Sequence, residues 1–126
     1  DGAKALIDFF QKIDPATGEI LWQSKVGTAL DYLSTPARCA ASKDGSAIFY
    51  IRPDGIYAIN AGTPVLQSEP IIPGNFYGVD VNPASGNIYV FESSFTGNGK
   101  MKIFTVGGSL IAEGAVGIGP NGAAFN

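Results

Sequence analysis

Gly78-Val79-Asp80-Val81-Asn82-Pro83-Ala84-Ser85-Gly86-Asn87-Ile88-Tyr89-Val90-Phe91-Glu92 (residues 78–92) decides the fold. A short run of small and β-branched residues enters a stretch rich in Asn, Pro, Ser and Gly. A near-continuous apolar run, Ile88-Tyr89-Val90-Phe91, follows. Turn-forming residues between two β-forming runs read as strand, turn, strand. The second run scarcely alternates, as expected of a strand buried on both faces.

The unit recurs in both directions. Arg38-Cys39-Ala40-Ala41-Ser42 leads through Asp44-Gly45 into Ile48-Phe49-Tyr50-Ile51, and Asp1-Gly2 precedes a β-rich stretch at residues 3–8. Downstream, Gly122-Ala123-Ala124-Phe125-Asn126 has the character of the first strand again. Aligning Asp1-Gly2, Asp44-Gly45 and Ser85-Gly86 yields two further columns. The third strand is Lys12-Ile13-Asp14, Tyr57-Ala58-Ile59-Asn60 and Ile103-Phe104-Thr105-Val106. The fourth is Leu21-Trp22-Gln23-Ser24, Val65-Leu66-Gln67-Ser68 and Leu110-Ile111-Ala112-Glu113. Ile13, Ile59 and Phe104 recur about every 45 residues. Four-stranded repeats of this size predict a β-propeller.

The residue types suit that geometry. Innermost strands crowd one another around an axis, and the first column holds Ala40, Ala41, Gly78, Gly122, Ala123 and Ala124. The second strand lies between neighbouring blades and is apolar on both faces. Outer strands are more polar, as at Gln67, Ser68, Glu69 and Glu113. No window shows capped apolar residues at helical spacing, so the chain reads as a single all-β domain over residues 1–126. The predicted architecture is three four-stranded antiparallel blades, one completed by the C-terminal strand. A β-sandwich is the competing fold; it accounts for the strand number but not for the shared columns.

The phase of the ends carries an expectation of its own. Residues 1–26 supply strands two to four of a blade, and residues 119–126 supply strand one. Such a clasp hides open edges. Three blades are fewer than the roughly four to eight that close a ring. The chain is therefore expected to be the C-terminal part of a longer protein, or half of a six-bladed dimer. A start at Asp1 without Met or a signal-like stretch is read as processing or excision.

Ile13-Asp14-Pro15-Ala16-Thr17-Gly18-Glu19-Ile20-Leu21-Trp22 resembles the Asp-x-x-Thr-Gly-x-x-x-Trp repeat of quinoprotein-type propellers. Residues 78–90 resemble the strand-turn-strand unit of surface-layer-like bacterial propellers, a family related to NHL-type repeats. Gly117-Ile118-Gly119-Pro120-Asn121-Gly122 is similar to the loop preceding an inner strand in such repeats. Leu66 and Ile111 stand where the quinoprotein repeat would carry Trp, which Trp22 supplies only once. The resemblance implies an extracellular, cell-surface or periplasmic location.

Composition narrows the chemistry. With 8 Lys plus Arg against 11 Asp plus Glu the net charge is −3, and no cationic run offers a grip on nucleic acid. No apolar run approaches the ~20 residues of a membrane-spanning helix. There is no histidine, so neither a Ser-His pair nor His-ligated zinc can be built from this chain. The single cysteine, Cys39, reads as a buried inert thiol and permits no intrachain disulfide. Asp31, Glu69, Asp80, Glu92 and Glu113 fall in different columns, and nothing pairs two of them as acid and base. No catalytic residue, metal site or cofactor is assigned.

Several motifs have plainer readings. The glycines between Gly117 and Gly122 match Gly-x-Gly-x-x-Gly, but a strand follows where a dinucleotide fold needs a helix. Gly97-Asn98-Gly99-Lys100 reads as a hairpin tip. Asp80 and Asn82 share a strand face and are weighed as calcium ligands against turn caps, with the cap favoured. Trp22 is weighed as a stacking platform against packing between blades, with packing favoured.

Propeller ligands reach the channel mouth, where loops lead into the inner strands. Those positions are Pro36-Ala37-Arg38, Phe76-Tyr77-Gly78 and Pro120-Asn121-Gly122. The candidate ligand-binding residues are Arg38, Tyr32, Phe76, Tyr77 and Asn121, weighed against a simple filling of the mouth. An Arg among aromatics suits sugar-like or anionic ligands. The expected function is a non-enzymatic binding or scaffold module, with carbohydrate or protein at the mouth and self-association completing the ring. The alternatives are a fragment of a quinoprotein-like oxidoreductase or of a glycan-active enzyme whose catalytic residues lie in other blades.

Overall fold

The chain is described by a computed structural model covering residues 7–28 and 38–126. All regular structure in it is β. The strands are β1 (Ile7–Ile13), β2 (Ile20–Thr28), β3 (Cys39–Ala41), β4 (Ala47–Arg52) and β5 (Gly55–Asn60). They continue with β6 (Ile72–Pro73), β7 (Gly78–Val81), β8 (Ile88–Glu92), β9 (Gly99–Phe104) and β10 (Leu110–Val116). They form three antiparallel sheets. β1-β2 is a two-stranded first sheet, β3-β4-β5-β6 a second, and β7-β8-β9-β10 a third.

The sheets stack face to face, with the second in the middle. Residues paired across antiparallel strands share a face, so register assigns every side chain. Ile48, Tyr50, Tyr57 and Ile59 form one face of the second sheet. There Phe10 and Trp22 of the first sheet pack on buried Tyr50, Tyr57 and Ile59. The Phe10 ring meets Tyr50 edge-on at 4.9 Å, and the Trp22 indole N–H donates to the Ala61 carbonyl at 3.3 Å. Phe49, Ile51 and Ile56 occupy the opposite face and pack on Val79, Ile88 and Val90 of the third sheet. β4 is thus apolar on both faces because both are covered. Ile56, Ile59, Ile88 and Val90 are fully buried, at 0% exposure. A buried aliphatic side chain of this kind contributes about 2 kcal/mol through removal of its surface from water.

Two turns anchor this arrangement. In the second sheet the Asp44 carboxylate accepts the Ser42 hydroxyl and both the amide and hydroxyl of Ser46. In the third, Asn82 Oδ1 accepts the Ala84 and Ser85 amides at 2.8 and 3.2 Å. Asn82 is therefore the turn cap. Gly45 and Gly86 adopt φ of 71° and 82°, the left-handed region where a side chain would be strained.

The columns need correction in five places. First, Ala41 pairs with Ile48 and Val81 with Ile88, so Ile48 corresponds to Ile88, 40 positions later. Aligning Gly45 with Gly86 makes the offset 41 and matches Ile48 to Tyr89, which lies on the other face. The two turns have equal length but place their left-handed glycine one position apart. In a strand, that single step exchanges the faces.

Second, residues 7–13 form one strand rather than the end of a second strand and the start of a third. Phe9-Phe10-Gln11 contains no turn residue, and the irregularity is absorbed as a register shift after Asp8. The Asp1-Gly2 turn and residues 3–6 lie outside the described residues.

Third, Val65-Leu66-Gln67-Ser68 is not a strand. Val65 and Leu66 are exposed, and the edge of the second sheet is instead β6, whose Ile72 is 1% exposed. Pro73 has no N–H, so this edge pairs over only two residues.

Fourth, residues 119–126 do not pair with β1. They run without strand hydrogen bonding across the free face of the third sheet, at the far end of the stack from the first. Fifth, Cys39 is exposed. It lies on the inner edge strand of the second sheet, and among the described residues the two-stranded first sheet does not extend over it.

Candidate site at the inner-strand end

β3 and β7 are neighbouring inner strands that both run toward their turns. Lys43 Nζ donates to the Ala84 carbonyl, so the two turns lie at one end of the stack. The starts of β3 and β7 therefore lie at the other, and Arg38 occupies the register position of Gly78. Arg38 is exposed there.

Beside it, residues 117–121 close over the start of the third sheet. A Cβ on Gly78 would stand 2.4 Å from the Asn121 carbonyl oxygen, and one on Gly99 would stand 2.6 Å from Pro120. Only glycine admits this approach. Ser93 donates its hydroxyl to the Pro120 carbonyl at 2.8 Å, and the Gly119 amide donates to the Ser94 carbonyl at 3.0 Å. The loop after β8 and the segment before residue 122 thus form one wall. Half-buried Tyr77 meets Phe95 edge-on in that wall, with ring centroids 5.6 Å apart. Phe95 is 71% exposed.

Tyr77 and the Asn121 backbone are therefore brought together, and Arg38 lies at the same end of the stack. Phe76 is not part of that surface. It is 3% exposed and packs with Ile56, Ile72 and Val79 in the core, because its ring folds back over Gly74. Tyr32 lies outside the described residues. Phe95 went unread in the sequence, although an aromatic within Ser93-Ser94-Phe95-Thr96-Gly97 has no strand in which to be buried. That mismatch was the available signal.

The same end carries a second polar group on the second sheet. Arg52 lies over the Tyr57 ring at 5.2 Å, and the Tyr57 hydroxyl donates to Asp54 at 2.8 Å. Burial pushes the Tyr57 phenol up, and Asp54 adds to it by accepting the hydroxyl proton's hydrogen bond. Burial likewise raises Tyr50. Both tyrosines stay neutral at physiological pH and serve packing.

At the opposite end the two turns enclose an open groove of about 520 Å3, lined by Ser42, Lys43, Asp44, Ser46, Asn87 and Thr105 among others. Its polar groups are committed to the turns: Asp44 to Ser42 and Ser46, Lys43 to the Ala84 carbonyl. The hydrogen bonds from Ser42 and Ser46 lower the Asp44 carboxyl from 3.8 to about 2.

The other weighed residues take structural roles. Asp80 accepts the Ala123 amide at 2.7 Å and fastens the last residues to the third sheet, while Asn82 caps the turn. Trp22 packs between the first two sheets. Among the described residues no three His, Cys, Asp or Glu side chains converge as metal ligands. Nor is any helix among the described residues long and apolar enough to cross a membrane.

Among the described residues this end of the stack presents an exposed cation, Arg38, and an exposed Phe set against a Tyr. Aromatic faces and a forked guanidinium suit sugar rings and anionic groups, and they require no proton transfer. Compared with known proteins, the sequence matches no family model and no curated protein.

Proposed function

We propose that the chain is a set of β-propeller blades acting as a non-enzymatic binding module at a cell surface or in the periplasm, with a carbohydrate as ligand. Three observations support the propeller reading. The sheets stack face to face, each four-stranded sheet runs from a short small-residue strand outward, and the two sheets repeat face for face, β3-β4 against β7-β8 at an offset of 40 and β5 against β9 at 45. The surface location rests on the resemblance to surface-layer-like repeats.

The observation that carries the binding reading is Phe95, 71% exposed yet oriented by Tyr77, at the end of the stack that also presents Arg38. An exposed aromatic held by a second ring is a preorganised platform, since little side-chain entropy is lost when a sugar ring stacks on it. Titration of the protein with a panel of neutral and acidic oligosaccharides, followed by NMR, is the test. Saturable shifts at Phe95 and Tyr77 that vanish in Phe95→Ala are expected. Shifts confined to the turn end, or none with any saccharide, would refute the assignment.

A further inference from the structure

The outward face of the third sheet is apolar and only partly covered among the described residues, and its composition follows from register. Phe49, Ile51, Ile56 and Ala58 in the second sheet correspond to Tyr89, Phe91, Met101 and Ile103 in the third. The first set is covered by the third sheet. The second set is covered only in part. Residues 122–126 lie over Tyr89, with Phe125 edge-on at 4.9 Å, and Phe91 is 3% exposed. Farther out, Met101 and Ile103 are only half-buried, and Ala112 and Gly114, paired beside them on this face, are exposed.

Residues 122–126 thus occupy the place of an inner strand, and among the described residues no outer strand lies beside them. The first sheet has the complementary composition among the described residues: an outer hairpin without inner strands. β1-β2 matches β9-β10 in kind, since Ile13 pairs with Ile20 as Phe104 pairs with Leu110. One face of the hairpin, with Phe10 and Trp22, is spent on the second sheet. The other presents Gln11, Ile13, Ile20 and Gln23, with Ile13 and Ile20 52% and 53% exposed. By register this is the face that Phe104 and Leu110 turn toward the second sheet. The hairpin and the free face sit at opposite ends of one stack, so a second copy can bring them together.

We infer that the β1-β2 hairpin of a second copy docks its Ile13 and Ile20 face on Met101 and Ile103, beside residues 122–126. Two such contacts, related by a two-fold axis, close a ring of six sheets. The inference rests on the propeller reading and names the partner that completes it.

Sedimentation velocity across the micromolar range tests it. The expected species is twice the 13.1 kDa chain mass. Ile103→Lys and Ile20→Lys, made separately, should each sediment as monomers. Their equimolar mixture should recover a dimer, because a mixed pair retains one unaltered hairpin against one unaltered face. Misfolded variants would not recover on mixing. A monomeric natural chain, an open-ended series of oligomers, or a mixture that stays monomeric would overturn the proposal. Hydrogen exchange separates the two levels of failure. A monomer that still protects the Ala123 amide and the β4 amides removes the ring partner and leaves the propeller reading intact; loss of protection in β4 removes both.

Discussion

The Asp80 carboxylate accepts the Ala123 amide at 2.7 Å across 43 residues of sequence. It holds the last residues against the third sheet where no strand pairing does so. Replacing Asp80 with Ala removes the acceptor and leaves a partly buried amide unpaired, at a cost of about 1–2 kcal/mol. Faster hydrogen exchange at Ala123, with exchange in β4 unchanged, is the expected signature. Equal exchange in both proteins would show that Asp80 is not the fastener.

Gly78→Ala should act on the same segment from below. Its new methyl would meet the Asn121 carbonyl oxygen at 2.4 Å, a backbone atom that moves only with its whole segment. Overpacking of this kind costs about 1–3 kcal/mol. Urea unfolding should show the loss, and the Phe125 ring should lose its contact with Tyr89 in NMR spectra.

Trp22 is the sole tryptophan, so its fluorescence reports docking of the first sheet. Tyr50→Ala deletes the ring that both Phe10 and Tyr57 pack against. A large-to-small change in such a site costs about 3–5 kcal/mol. Red-shifted emission and stronger acrylamide quenching are expected before global unfolding, because the second and third sheets keep their own interface.

Acid should loosen the turn at residues 42–47 in a defined window. The Asp44 carboxyl is lowered in the folded protein from 3.8 to about 2 by the Ser42 and Ser46 hydrogen bonds. A depressed carboxyl contributes stability that is fully present above its unfolded value and is lost as pH falls through the folded one. The contribution should therefore be complete above about pH 4 and fade toward pH 2. An NMR titration of the Asp44 carboxyl should find its midpoint near the lower end, and Ser42→Ala should move it upward. A midpoint at the ordinary value would refute the hydrogen-bonded turn.

The strands that carry the fold were legible because their signals are local. Ile48-Phe49-Tyr50-Ile51 and Ile88-Tyr89-Val90-Phe91 announce burial on two faces, and Asn82 and Asp44 announce turns, whatever surrounds them. The column of small residues at Ala40, Gly78 and Gly122 was legible for the same reason. Of the candidate site, the lead-in positions were readable: Arg38 and Tyr77 lie at one end because strand direction alone puts them there.

Other features waited for the tertiary structure, since each depends on what lies across from a residue rather than beside it. The one-position difference in where Gly45 and Gly86 fall within their turns is invisible to an alignment on turns, and such an alignment matches opposite faces of β4 and β8. Phe76 and Phe95 are both aromatics in loops; only the fold over Gly74 buries the first, and only the wall at Tyr77 presents the second. Cys39 reads as core in a run of small residues but is exposed, since the first sheet does not reach it among the described residues. Residues 122–126 have strand composition without strand pairing, because they rest on a sheet face and find no edge. Composition and periodicity determined β3, β4, β7 and β8 and the turns between them. Stacking decided which faces are covered, because burial is a property of the neighbour that arrives.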